Sequence, residues 1–160
     1  MTKSKKLSTD LQLVSFFLDK EIFAVDVMKV QSVERIMEIT GIPGLPDFVE
    51  GVINLRESII PIVDLRKKFS LPPKDYGKET RTIIMELASS VVVGMIVDKV
   101  NEVFQIRQEL LGSVPSIAGI RGNVPNDYIN GVAKYDGKLI IVLDAGRIFS
   151  EEEEEAMKNV

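Results

Sequence analysis

Phe48-Val49-Glu50-Gly51-Val52 returns later in the chain as Tyr128-Ile129-Asn130-Gly131-Val132. The match continues: Ile60, Val63, Asp64 and Phe69 find counterparts in Ile140, Leu143, Asp144 and Phe149. Each stretch reads as an aromatic, an aliphatic, Gly-Val, a turn, an apolar strand, an aspartate and then a phenylalanine. Earlier segments repeat as well. Lys29-Val30-x-x-Val33-x-x-Ile36 aligns with Lys99-Val100-x-x-Val103-x-x-Ile106, and Ile22 to Val25 with Val92 to Met95. Leu13-Val14 to Phe17 aligns with Ile83-Ile84 to Leu87. The chain is one duplication, with a longer spacer, mostly loop, between Arg107 and Asn130 of the second copy. Pro72-Pro73-Lys74-Asp75-Tyr76-Gly77 joins the copies.

Within each copy, short runs dense in Val, Ile and Phe are bounded by Asp-Lys, Ser-Ser and Pro/Gly clusters, which is strand and turn chemistry. Asp136-Gly137 marks a tight hairpin, because a two-residue primed turn needs positive φ. By duplication Arg56-Glu57 is also a hairpin tip. Five short strands per copy predict two small curled sheets that manage their own edges. Copies this small bury too little alone, so they should pack together, with a binding groove at the seam.

Composition narrows the function. At 160 residues, 45% hydrophobic and 28% charged, the chain is globular. A net charge of -4 with no basic stripe argues against nucleic acid. No Cys excludes disulfides and thiolate chemistry, and no His removes the commonest metal ligand and general base. No cofactor is expected. Residues 1–10 read as a flexible basic N-terminus without an apolar leader core, and no run reaches membrane-spanning length, so no direct membrane insertion is expected. Ser150 followed by Glu153 is a capping box opening an acidic C-terminal helix over 150–160, read as solvated.

Asp64 and Asp144 follow apolar strands at matching positions, which suits capping better than catalysis, and Asp98 is read in the same way. Gly119-Ile120-Arg121-Gly122 lacks phosphate-loop spacing and is read as a loop. Arg66-Lys67-Lys68 is read as a solvated helix end. Arg56 stands apart: its counterpart is Asp136 on the same scaffold, and divergence inside a duplication is where specialised function can sit.

Gly51-Val-Ile-Asn-Leu-Arg56, followed by Ile59-Ile-Pro-Ile-Val-Asp-Leu65, resembles the signature of the chemotaxis coupling protein family, CheW. Phe23 to Val30, Gly94 to Val100 and Tyr128 to Val132 resemble family segments in the right order, so the match runs from about Leu11 to Phe149. The resemblance implies an all-β fold of two small five-stranded SH3-like β-barrel subdomains packed together, with short helices including a C-terminal one. The expected division is one domain over 11–150, with subdomains over about 11–71 and 78–149 and strands open to exchange between them. It implies a cytoplasmic, non-enzymatic adaptor, held at membrane receptor arrays by protein contacts and linking methyl-accepting chemotaxis receptors to the histidine kinase CheA.

Carried over by position, Arg56 matches the family's binding arginine, and Gly51 and Asn54 its supporting turn. Val30 matches an apolar position facing the receptor helix, and Val100 would line the other wall. Ser32 stands near where relatives carry Glu, with Glu34 two residues on. Glu57 replaces the usual Gly and places a carboxylate beside Arg56. Alternatives are an SH3-like peptide-binding module outside chemotaxis, a carboxylate hydrolase built on Asp64 and Asp144, or the regulatory module of a larger kinase or receiver-fused protein. A terminal helix ending at Val160 favours the standalone adaptor.

Overall fold

In a computed structural model, the described residues are 10–112 and 124–160. The N-terminal basic segment, apart from Asp10, and the Gly119-to-Gly122 loop lie outside them. Ten strands form two five-stranded sheets. The strands are β1 (Asp10–Leu18), β2 (Glu21–Asp26), β3 (Val30–Arg35), β4 (Val49–Leu55), β5 (Ser58–Asp64), β6 (Arg81–Glu86), β7 (Val92–Val97), β8 (Lys99–Arg107), β9 (Ile129–Tyr135) and β10 (Lys138–Leu143). Two helices complete the frame, α1 (Leu65–Lys68) and α2 (Glu151–Lys158).

The sheets do not follow the 11–71 and 78–149 division. One runs β8-β1-β2-β10-β9 and the other β3-β6-β7-β5-β4, so each copy gives its first hairpin to the sheet that its partner copy builds. The exchange is reciprocal. β2 lies parallel to β10 through Ile22↔Ile140, and β7 lies parallel to β5 through Gly94↔Ile62. Both sheets then share one strand order. Val30 opposite Met85 and Val100 opposite Phe16 make Met85 the counterpart of Phe16, one residue off the sequence alignment of β1 with β6. The correction matters because a slip of one residue turns every side chain to the other face.

Burial on both faces explains the unbroken apolar runs. One face of each sheet meets the other across a shared core containing Phe16, Phe23, Val63, Phe69, Met85, Met95 and Leu143. The opposite faces curl around separate small cores, one holding Leu13, Ala24, Phe104 and Val142, the other Ile53, Ile60, Ile84 and Ile96. In each sheet a further segment pairs back onto an edge strand: Thr40 exchanges two hydrogen bonds with Val52, and Gly112 two with Val132.

The aspartates at the strand ends match as the duplication requires. Asp64 accepts from the Arg66 N–H at 2.9 Å and Asp144 from the Gly146 N–H at 2.9 Å. Their own amides donate to Phe48 and Tyr128 carbonyls. Burial raises the Asp64 carboxyl above its ordinary pKa, with the Arg66 amide opposing. The Ser150–Glu153 capping box forms, but α2 is not solvated all round: Met157 and Glu154 are buried, and Ser89 of the β6–β7 turn donates to Glu154.

The basic run after Asp64 is likewise not a solvated end. Lys67 faces water and pairs with Glu50 at 2.6 Å, while the side chains of Arg66 and Lys68 are each only 7% exposed. Lys68 Nζ pairs with Glu153 at 3.0 Å and lies 4.6 Å from the centroid of the Phe48 ring, near Tyr128 and Phe149 as well. It fastens α2 to both copies. Arg66 reaches Asp98, so Asp98 is an ion-pair partner and not a helix cap.

Candidate partner-binding site

The β4–β5 hairpin closes with Leu55 opposite Ser58, leaving Arg56 and Glu57 as a two-residue tip. Their φ values are 48° and 71°, and those of Asp136 and Gly137 at the β9–β10 tip are 55° and 75°. Both are primed turns whose twist suits the strands. The tip therefore does require positive φ, and Glu57 occupies a position that glycine fills without strain. A Glu57→Gly variant should be more stable by about 1 kcal/mol, read as a higher melting temperature in thermal denaturation.

Arg56 projects from this tip with its side chain 73% exposed. Its ion pair is with Glu34 on β3, Nη2 to Oε2 at 3.6 Å, and not with the adjacent Glu57. Glu34 is largely covered, with its side chain 17% exposed, so it holds one side of the guanidinium and leaves the rest to a partner. Asn54 lies directly across from Ile59, and both are exposed. The two line a hollow of about 590 Å³ with Met37, Glu38 and Thr40. An amide and an isoleucine side by side, two and three residues from Arg56 along the hairpin, form a mixed polar and apolar surface.

Gly51 lies in β4 at a bulge, away from the turn that the resemblance assigned to it. Its φ is +147°, and a Cβ there would stand 2.1 Å from the Thr40 carbonyl oxygen. Its role is to let Thr40 and Gly41 lie on the strand. Val30 and Ser32 are half-buried on β3 in the same sheet as the tip. Val100 is the second residue of β8 in the other sheet, and Val30 and Val100 both pack at the margin of the shared core. Sequence reasoning missed Glu34 as the partner of Arg56, because that contact depends on how the sheet curls.

A projecting cation, an apolar flank and strand starts set at the seam of two sheets suit recognition of another protein, and that is the class to which the fold and surface point. A family model described as the CheW-like domain matches residues 12–153. The chain belongs to the CheW-like domain family. It is similar to the chemotaxis protein CheW of Treponema pallidum, 34% identical over 93% of this chain and 88% of the relative. To that of Klebsiella aerogenes it is 32% identical over 93% and 87%. Among solved structures, the scaffolding protein TtCheW from Thermoanaerobacter tengcongensis superposes with a TM-score of 0.78 at 34% identity, covering 89% of this chain and 90% of that one.

Proposed function

We infer that the chain is a non-enzymatic adaptor in bacterial chemotaxis, coupling the cytoplasmic tips of chemoreceptors to the histidine kinase CheA. The observation that carries this is family membership across nearly the whole chain, residues 12–153, on a scaffold shared with a solved scaffolding protein. The surface fits the task. An adaptor binds without turning over substrate, and the distinctive residues here, Arg56, Asn54 and the strand starts at Val30, Ser32 and Val100, offer hydrogen bonds and apolar contact. The receptor tip is an amphipathic helical bundle that lays an apolar stripe against Val30 and Val100, while the Arg56 guanidinium takes a carboxylate at the rim. Among the described residues, no helix is long and apolar enough to cross a membrane. The adaptor works in the cytoplasm, held at receptor arrays by protein contacts.

Mixing the purified chain with the kinase regulatory region and a receptor tip fragment should give a ternary complex by size-exclusion chromatography, and failure to bind either partner would sink the reading. Within that assay, Arg56→Ala should leave the melting temperature nearly unchanged, as for an exposed tip, and weaken assembly by more than about 1 kcal/mol, or roughly fivefold. A large drop in melting temperature with unchanged binding would instead make Arg56 structural.

A further inference from the structure

The chain passes between the sheets at two equivalent places, and the two are held by different contacts. β7 in one sheet and β8 in the other are separated by a single residue, Asp98. Arg66 grips it with two hydrogen bonds, Nε to Oδ1 at 2.9 Å and Nη2 to Oδ2 at 2.7 Å. The same guanidinium donates to Asp19 in the β1–β2 turn and to the Pro72 carbonyl in the link between the copies. Asp98 also accepts the Asp19 N–H at 2.8 Å. One planar cation thus joins α1, the tip of an exchanged hairpin, a sheet crossing and the inter-copy link.

The equivalent crossing, from β2 to β3, runs through Val27–Lys29. There Met28 takes the place of Asp98 and is 82% exposed, and Gly146 takes the place of Arg66. No side-chain ion pair is possible between those two. Two residues beyond each crossing residue stand Val30 and Val100, both packed at the margin of the shared core.

We propose that Arg66 is a positioning residue for partner binding: by clamping the β7–β8 crossing to the β1–β2 turn, it fixes where Val100 stands relative to Val30 across the seam. The inference rests on the adaptor reading for its partner, a receptor tip, and on this chain's own contacts for the clamp. Arg66 touches no partner itself. The ion-pair clamp stands on the Val100 side; on the Val30 side the crossing is held instead by Val27 against the shared core and by the Met28 N–H donating to Asp26.

The full chain contains no cysteine, so spin labels placed through Lys29→Cys and Lys99→Cys, both exposed positions beside the two valines, report the seam without background. The parent chain should give one narrow distance distribution by pulsed electron resonance. Asp98→Asn, which keeps shape and removes the charge, should broaden it, and Arg66→Met should broaden it further. In unlabelled chains Asp98→Asn should bind the receptor tip about tenfold more weakly while affinity for the kinase regulatory region changes little. Parallel loss of both affinities, tracking melting temperature, overturns the proposal by making the clamp merely structural. Unchanged distances, or unchanged receptor affinity in a folded Asp98→Asn chain, overturn it too. If the parent chain binds no receptor tip yet the distances broaden, the clamp stands and the adaptor reading falls.

Discussion

Replacing Gly51 with alanine should cost about 3 kcal/mol or more of stability, the largest loss expected from adding a single methyl to the candidate site. The new Cβ would stand 2.1 Å from the Thr40 carbonyl oxygen, 2.7 Å from its carbon and 2.9 Å from the Gly41 Cα. All three are backbone atoms, so no rotamer change can make room. The φ of +147° adds strain of its own. Relief requires Thr40 to leave Val52, breaking both hydrogen bonds of that pair and opening the hollow beside Asn54. In thermal denaturation the midpoint should drop by about 6–12 °C. Gly131→Ala provides the control. There the nearest atom, the Gly112 carbonyl oxygen, is 3.0 Å away and φ lies outside the positive region, so the loss should be smaller. Equal losses at the two glycines would show that the Thr40 contact is not what makes Gly51 necessary.

Arg66→Met should be comparably severe, about 3 kcal/mol or more, because it removes one partner of a buried pair and leaves Asp98 and Asp19 facing each other without a cation. The effect should also depend on pH. Burial works to raise the Asp98 carboxyl pKa, but hydrogen bonds from Arg66 and the Asp19 amide outweigh it and hold the group below the ordinary 3.8. A carboxylate depressed in the folded state contributes stability that is fully present above its unfolded pKa and is lost as pH falls through the folded value. The gap in melting temperature between parent and variant should therefore be widest near neutrality and narrow on acidification below about pH 4. A gap that stays constant down to strong acid would mean that Arg66 stabilises by packing alone.

Much of the fold could be read from the residues because duplication supplies its own control. Asp136-Gly137 identified one hairpin by turn chemistry, and alignment then located Arg56-Glu57, whose composition alone would not have suggested positive φ. The family resemblance leaves strands open to exchange between the copies, but the residues themselves do not show which hairpins exchange. An apolar run such as Val92 to Val97 reports that both faces are buried but says nothing of which strand lies alongside. The register of β1 against β6 was missed by one residue for a related reason: runs apolar on both faces align almost as well when shifted.

Arg66 and Lys68 were misread because three consecutive basic residues look like a solvated surface. On a helical turn successive side chains point about 100° apart, so a four-residue helix wedged between elements sends them to different surroundings. Lys67 goes to water, Arg66 to the seam and Lys68 to the aromatic rings below α2. A lone Asp98 closing the apolar run Val92 to Val97 was the available signal, since a carboxylate at the end of a buried strand calls for a cation beside it. At the candidate site, Arg56 was legible as a tip residue. Its partner Glu34 was not, because the strands carrying them occupy opposite edges of a sheet and meet only through its curl.

The reciprocal exchange also sets a timetable for synthesis. As the chain leaves the ribosome, the sheet made of β3 to β7 has all its strands once Val97 has emerged. The β1–β2 hairpin, although made first, must wait for β8, β9 and β10, with Asp10 finding Arg107 only late in translation. Throughout that interval the opposite face of the hairpin, with Leu13, Ile22 and Ala24, lacks the β8 and β10 side chains that enclose it. The nascent chain therefore presents an apolar hairpin to the cell for most of its synthesis, a period in which chaperone capture or pairing with another nascent copy competes with correct closure.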